Sequence, residues 1–320
     1  MEEIEEDDND EDLQINIFKL FFVKIIFFYN LKILFILLII ILLKMNYYGL
    51  LDERLQENIW ETRIPLKIKM SPKDLISSNV PLTLYYSLPR ISYLSSIFGD
   101  IIKNFEGCIQ VNLPDLWIEC ENKPLRWQYP LGVLIDSLGI DTTKGPITLT
   151  VRVREIPRNE VLEYESLDSL RFYFFNAIKE ADVIRYPIDK KVFNLKNNET
   201  DRLNNIIYEN NPKNITDYRK IMNFDKKIAK YPTKLFFCRT DIVLIKSAEV
   251  KEGEEISYTI ANFLIDVLTK NVYDKLKEKC KIIIHGLEIE ENMSFLFYYF
   301  NFCYMDTFLY ISFVDKIGPE

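Results

Sequence analysis

The chain has 320 residues, of which 48% are hydrophobic and 14% aromatic, so it can form one large domain or two to three small ones. Its formal net charge of −8 is concentrated in the first twelve residues, which hold nine acidic side chains and no basic one, and the rest is close to neutral. No basic stripe suited to phosphate neutralisation stands out, which argues against nucleic acid as a partner.

The residue inventory excludes several common catalytic motifs. His285 is the only histidine, so two histidines cannot bind one metal, and its position between a strand and Gly286 indicates a turn. The nine glycines are too far apart for the dinucleotide-binding or nucleophile-elbow motifs. The five cysteines form no C-x-x-C pair, which predicts buried thiols in a reducing compartment. We therefore expect no metal, no cofactor and no active site, with an enzyme of unrecognised type as an alternative.

Residues 15–43 form an apolar run that three lysines interrupt. Its longest charge-free stretch, residues 33–43, is only eleven residues long, whereas about 20 span a bilayer. The window 25–43 is longer but contains Lys32, at a cost of about 2.5–3.5 kcal/mol near the bilayer centre. Residues 1–50 form an acidic and apolar extension, for which three alternatives remain open. The apolar run is a membrane anchor, it is a buried or interfacial helix, or it is absent from the working protein, which would then start at Met45.

Residues 51–155 predict a first domain of mixed strands and helices. Apolar residues alternate with polar ones over 64–70, as in a half-buried strand. The predicted elements are a helix over 51–60, strands over 64–70 and 82–86, a helix over 91–105, strands over 116–121 and 125–129, a short helix over 131–138 and a strand over 147–153. After the leading helix, this is the element order of a ubiquitin-like β-grasp domain.

Residues 233–320 repeat that order and predict a second domain of the same type. Thr259 can cap a helix, and His285 and Gly286 form the turn of a hairpin-like unit. The predicted elements are strands over 235–237 and 242–245, a helix over 260–268, strands over 281–284 and 287–289, a helix over 294–300 and a strand over 308–314.

Between these domains, residues 156–232 predict a helix-rich region. Ser166 can cap a helix over 167–185, and residues 186–215 are polar and Asn-rich, which predicts a mobile connection. A second helix over 216–231 has two candidate buried faces, one with Tyr218 and Met222 and a more apolar one at 221, 224 and 228. The expected fold class is therefore α+β, with two ubiquitin-like domains flanking helices.

Several strings together resemble the autophagy protein 5 family. They are I-W-E-T-R-I-P at 59–65, Y-Y-S-L-P-R-I-S-Y-L at 85–94, L-W-I-E at 116–119, P-L-R-W-Q-Y-P-L-G at 124–132, K-E-A-D at 179–182 and I-H-G at 284–286. The resemblance extends from residue 57 to about 314, strongly in the first half and weakly from 234 onwards. Residues 1–45 have no counterpart in the family.

The resemblance implies a conjugation scaffold with no active site of its own. A lysine of the K-E-A-D string, here Lys179, receives the C-terminal glycine of the ubiquitin-like modifier autophagy protein 12 from an activating and a conjugating enzyme. The conjugate binds autophagy protein 16 and promotes attachment of autophagy protein 8 to phosphatidylethanolamine. It acts in the cytoplasm and peripherally on the membrane of the phagophore assembly site.

Helical geometry is compatible with this role, because Lys179 lies ~140° around the helix from Phe174 and its amine should reach solvent. The carboxylates of Glu180 and Asp182 are expected to favour the charged amine, so the conjugating enzyme would assist deprotonation. The same scaffold binding its modifier non-covalently is one alternative. A membrane-anchored protein of unrelated function is another.

Arg63 and Arg90 lie in two of the family strings. Each is a candidate either for a structural ion pair or for holding the helix of autophagy protein 16 in a groove between domains. We favour the structural role.

Overall fold

A computed structural model describes residues 51–76, 81–188, 190–209, 211–222 and 228–316. The acidic head and the apolar run at 15–43, with its three alternatives, lie outside these residues. Within the described stretches, no helix is both long enough and apolar enough to cross a bilayer.

The first sheet is built from the alternating pattern that the sequence shows at 64–70. Ile64, Leu66 and Ile68 are fully buried in its core, while Lys67 and Lys69 lie on the opposite face. The strands are β1 Arg63–Met70, β2 Leu84–Pro89, β3 Trp117–Cys120, β4 Lys123–Pro124 and β5 Ile147–Arg152. They lie in the order β2-β1-β5-β3-β4, and the central pair β1 and β5 is parallel.

Three helices precede or interrupt these strands: α1 Glu53–Glu61, α2 Phe98–Asn104 and α3 Leu131–Ser137. The sequence prediction of a strand over 125–129 is wrong. Strand β4 ends at Pro124 because the chain turns immediately afterwards, and the N–H of Tyr129 donates to the carbonyl of Arg126. The apolar residues there are still buried: Trp127 is in the core and its indole N–H donates to the Leu162 carbonyl.

The second sheet has the same architecture. Its strands are β6 Tyr231–Phe237, β7 Val243–Ala248, β8 Cys280–Ile284, β9 Leu287–Glu288 and β10 Leu309–Asp315. They lie in the order β7-β6-β10-β8-β9, again with a parallel central pair, β6 and β10. This duplication confirms the expected fold class: α+β, with two ubiquitin-like domains around a helical region.

Helices between the second set of strands partly match expectation. The Thr259 hydroxyl accepts the N–H of Asn262 and caps the predicted helix. The middle region contains three helices, α4 Leu167–Arg185, α5 Asn197–Glu209 and α6 Ile215–Met222. The helices of the second domain follow them in the chain and are α7 Ile260–Leu268, α8 Lys270–Lys279 and α9 Phe295–Phe302. Helix α8 was not predicted from the sequence, because its lysine-rich surface leaves Tyr273 as its single fully buried side chain.

Helix α5 of the middle region lies within residues 186–215, so the prediction of a mobile connection there is wrong. Leu203, Ile206 and Ile207 in α5 are buried at a spacing of three and four residues, so one narrow apolar stripe is enough to fix an otherwise polar helix. In α6 the buried face is the one with Tyr218 and Met222. Residues 223–227 of this predicted helix lie outside the described residues, and the helix does not reach 231, since residues 228–230 are not helical and β6 begins at Tyr231.

Helix α1 and a shared apolar cluster connect the parts of the molecule. Helix α1 precedes the first sheet, but its Leu55 and Ile59 pack into the core of the second domain. There the N–H of Asp52 donates to the side chain of Asn301 at 2.7 Å. A separate apolar cluster, with members such as Tyr93, Phe174 and Tyr310, joins both domains to the middle helices.

The five cysteines are free thiols, as expected, but only Cys120 is fully buried. The other four are partly exposed, which corrects the prediction that all five are buried.

Candidate functional site

Helix α4 carries Lys179 on its outer side. Leu170, Phe174, Ile178 and Ala181 form its buried face, and each is at most 1% exposed. Lys179 is half-buried rather than fully solvated, because its amine lies 5.6 Å from the ring centroid of Phe193. An ammonium group over an aromatic face is attracted by the ring quadrupole. The structure therefore places the predicted attachment residue at the surface, with its amine held near one aromatic side chain.

Exposed apolar side chains lie on the same side of the helix as this amine. Phe172 and Val183 lie on the same side of α4 and are 60% and 43% exposed, and Phe193 is 52% exposed. The amine of a second lysine, Lys190, lies 5.3 Å from the same Phe193 ring. Large apolar side chains grouped at a surface often mark a site where another protein binds.

The two acidic residues of the K-E-A-D string have other partners. The Glu180 carboxylate forms an ion pair with Lys234 of β6 at 3.2 Å. Asp182 is buried, and its carboxylate accepts the N–H of Val192 at 2.8 Å. Burial raises the pKa of Asp182, and that hydrogen bond opposes the rise. Each carboxylate thus binds a group other than the Lys179 amine.

A cleft of about 370 Å³ opens beside Glu180, where the first domain, α4 and the second sheet meet. It is lined by Gln128, Tyr129, Leu162, Tyr173, Asn176, Ala177, Glu180, Lys234 and Tyr310. The side-chain oxygen of Gln128 is buried and accepts no hydrogen bond from the part of the chain that the structure describes. The cleft therefore combines aromatic walls with several polar side chains, as ligand-binding clefts do.

Arg90 is completely buried between the two ubiquitin-like domains. Its guanidinium pairs with the Asp136 carboxylate and donates to the Gly132 carbonyl at 3.3 Å. The other oxygen of Asp136 accepts the N–H of Gly286 from the second domain at 2.9 Å. Burial raises the pKa of Asp136, and the Arg90 charge opposes that rise. Arg90 therefore lies in a buried ion pair, in keeping with the structural role that its sequence position favoured over partner binding.

Gly286 and His285 complete this junction between the domains. A Cβ atom on Gly286 would lie 2.9 Å from Arg90, and its φ of +78° is in the left-handed region, so both space and backbone favour glycine. The ring of His285 stacks on Tyr304 at 4.0 Å, and its Nε2 lies 2.9 Å from the Phe302 carbonyl oxygen. Burial, with a smaller contribution from the Arg90 charge, lowers the pKa of His285 to about 3. The histidine is neutral and structural, as its turn position predicted.

Arg63 is the first residue of β1 in the first sheet. Its Nε is 3.1 Å from the Ser87 carbonyl of the neighbouring strand, and the side chain is half-buried. Neither Arg63 nor Arg90 lines the cleft. Among the described residues, no group of three or more His, Cys, Asp or Glu side chains is arranged to hold a metal ion.

Three family descriptions match the sequence over most of its length. They are autophagy protein ATG5, UblA domain, at residues 59–153; its alpha-helical bundle region at 167–227; and its UblB domain at 230–313. The chain belongs to the autophagy protein 5 family. The resemblance seen in the six strings is thus confirmed, and membership of this family supports a role in autophagy.

Individual members of the family share low identity with this chain. Autophagy protein 5 of Debaryomyces hansenii is 24% identical over 280 residues, which covers 80% of this chain and 94% of that protein. The Arabidopsis thaliana protein is 31% identical over 145 residues, which covers 45% of this chain and 43% of that protein. The chain thus matches less than half the length of this relative, and the same holds for the rice protein at 36%.

The crystal structure of Kluyveromyces marxianus Atg5 superimposes with a TM-score of 0.69 at 19% identity, covering 82% of this chain and 99% of that one. At this identity the similarity supports the fold alone.

Two residues of this region, Phe193 beside the Lys179 amine and Lys234 beside Glu180, were not identified from the sequence. Phe193 falls in the segment predicted to be mobile, and Lys234 is a lone cation in the apolar strand Tyr231–Phe237. The sequence did contain a signal for Lys234, namely a single cation within an apolar strand. A strand that is covered on both faces must provide such a cation with a partner of opposite charge. For Phe193, the contact with the Lys179 amine depends on how helices α4 and α5 of the autophagy protein 5 fold are placed, because Phe193 lies in the segment between them.

Proposed function

We propose that this chain is a non-catalytic conjugation scaffold that accepts the ubiquitin-like modifier autophagy protein 12 on Lys179. The observation that carries the proposal is the position of Lys179, on the outer side of α4 with its amine over Phe193. Family membership and the K-E-A-D string around this lysine support the same role. In this role the protein supplies an acceptor amine, and the activating and conjugating enzymes supply the chemistry.

The transfer itself requires one nucleophilic nitrogen. The deprotonated amine of Lys179 attacks the carbonyl carbon of the modifier's thioester, a C–N bond forms, and the C–S bond breaks. The proton that the amine loses is balanced by the proton that the released thiolate takes up. Because Glu180 and Asp182 bind other groups, the base belongs to the conjugating enzyme or to solvent.

Replacing one lysine at a time tests this assignment. In cells that form the conjugate, Lys179→Arg should abolish the higher-mass species on a denaturing gel. Lys190→Arg is the matched control, since its amine lies beside the same ring, and it should leave that species unchanged. Survival of the species in Lys179→Arg would show that Lys179 is not the acceptor.

The same gel distinguishes the non-covalent alternative. A scaffold that only binds its modifier would give no higher-mass species under denaturing conditions, while a native pull-down would still recover the modifier.

We further propose that the cleft beside Glu180 binds a helix of autophagy protein 16, so that the complex promotes lipidation of autophagy protein 8 at the phagophore membrane. The support is the cleft's position where all three parts of the chain meet, together with its aromatic lining. Arg63 remains a candidate partner contact on the resemblance alone.

Blocking the cleft tests this second binding step. Ala177→Arg places a long cation on the cleft wall and should abolish capture of autophagy protein 16. Ile245→Arg is the control, because Ile245 is 46% exposed on β7 and does not line the cleft. Equal capture by both variants would exclude the cleft as the binding site.

A further inference from the structure

Lys234 is a buried cation that neither the attachment chemistry nor the fold topology requires. Its side chain is only 6% exposed, and its amine lies 3.8 Å from the ring centroid of Phe308 and 5.9 Å from those of Tyr129 and Tyr310. Burial of a lysine is unfavourable unless its charge is paired. Glu180, the residue that follows Lys179, lies at ion-pair distance, and the buried Asp306 carboxylate is close enough for the Lys234 charge to oppose the rise in its pKa.

This ion pair connects α4 to the second sheet. Lys234 belongs to β6, and Glu180 lies on the side of α4 that faces the cleft. Successive residues of an α-helix differ by about 100° in direction, so fixing the direction of Glu180 also fixes that of Lys179. The geometry of the acceptor lysine is thus coupled to a strand of another domain.

The opposite flank of the same helical turn is also fixed. The buried Asp182 carboxylate accepts the N–H of Val192, and that hydrogen bond holds the segment that carries Phe193. Between the two carboxylates, Ala181 is completely buried and leaves no room for the turn to shift inward. Every residue of the K-E-A-D string therefore has a geometric role around the Lys179 amine.

We propose that Lys234 is a positioning residue for the attachment reaction: through Glu180 it holds the turn of α4 so that the Lys179 amine stays on the outer face, over Phe193. This inference rests on the proposed function. Lys234 does not touch the reacting atoms and acts only through α4. A solely structural role would make the same ion pair but would leave the rate and site of conjugation unchanged.

The test is single-turnover conjugation in a reconstituted reaction, with the full chain and a preformed thioester of autophagy protein 12 on its conjugating enzyme. Lys234→Met keeps an unbranched stem against the aromatic rings and removes the charge, and Glu180→Gln removes the other charge. Each should lower the rate about five- to tenfold, because a small misplacement of the nucleophile is costly. Lys234→Arg should restore most of the rate.

A second measurement reports position directly. Mass spectrometry of the branched peptides should show a larger share of conjugate on Lys190, whose amine lies beside the same ring, when the ion pair is broken. The matched control is Lys230→Met, which removes an exposed ion pair with Glu249 at 3.4 Å just before the same strand. Lys230→Met should change neither the rate nor the site.

The outcomes separate this inference from the proposed function. If Lys179→Arg still forms the conjugate, the proposed attachment site is wrong, whatever Lys234 does. If Lys179→Arg abolishes it and folded Lys234→Met keeps the original rate and site, the positioning role is overturned. Should Lys234→Met fail to fold, Glu180→Gln decides alone, since the Glu180 side chain is 43% exposed and tolerates loss of its charge.

Discussion

Two lysines occupy corresponding positions in the two ubiquitin-like sheets, yet their surroundings differ. Lys67 in β1 pairs with Thr148, the second residue of β5, and Lys234 in β6 pairs with Tyr310, the second residue of β10. Lys67 remains partly exposed on its face of the first sheet. Lys234 is buried, because α4 and the shared apolar cluster cover that face of the second sheet.

The difference shows how one topology can serve two purposes. The first sheet uses one face for its own core and exposes cations on the other. The second sheet is covered on both faces, so the same strand position becomes an internal contact point for α4.

The largest effect is expected where the two domains meet. Arg90→Met should lower the free energy of unfolding by about 3–5 kcal/mol, because it leaves the buried Asp136 carboxylate without its countercharge. The control is Arg126→Met, which breaks an interdomain ion pair with Asp241, a residue whose side chain is 71% exposed. That variant should lose less than about 1 kcal/mol. Equal losses in urea denaturation would contradict a buried role for Arg90.

The second effect depends on pH. Because the pKa of His285 is lowered from 6.5 to about 3, the folded state resists protonation, so stability is full above pH 6.5 and falls as the pH drops towards 3. At pH 5 the loss should be about 2 kcal/mol relative to pH 7.5. The measurement is the midpoint of urea unfolding at several pH values.

His285→Asn is the control for that experiment, since asparagine does not titrate and tolerates the positive φ of 51° at this position. Asp136 has a raised pKa and also titrates at low pH, but it is present in both proteins. A variant with the same pH slope as the natural protein would show that His285 is not the group responsible.

The third prediction compares the two lysines directly. Lys234→Met should cost about 1–2 kcal/mol of unfolding free energy, because the half-exposed Glu180 regains only part of its hydration. Lys67→Met should cost less than about 0.5 kcal/mol, since it loses only a contact 5.9 Å from the Tyr85 ring. The measurement is the change in thermal unfolding midpoint of each variant. Equal changes for the two variants would contradict the proposed difference between the two sheets.

The sequence predicted most of the fold because both domains repeat a distinctive element order. Alternation at Ile64, Leu66 and Ile68 identified β1 correctly, and the Thr259 cap identified α7. The sequence prediction failed where few side chains of an element are buried or where residues distant in the chain bury them. Helix α5 has only a narrow apolar stripe, so its asparagines suggested a loop. The strand over 125–129 failed because buried aromatic residues resemble a strand even when the chain turns.

The candidate site also has one part that the sequence predicted and another part that depends on tertiary contacts. The K-E-A-D string and helical periodicity placed Lys179 off the buried face, and the structure has it there. The pairing of Glu180 with Lys234 could not be read from the string, because the two residues are 54 positions apart and belong to different domains. For Arg90 the sequence favoured a structural ion pair but could not name its partner, Asp136, which is 46 positions away.

The sequence by itself determined the family, the two β-grasp modules and the side of α4 on which Lys179 lies, since these follow from local periodicity and from strings of neighbouring residues. Only the tertiary structure decided that helix α1 packs on the second domain and that Arg90 is internal. The same holds for the contact of Lys234 with the turn that carries the acceptor lysine. Such pairings depend on which faces are covered when domains meet, and no local pattern encodes that.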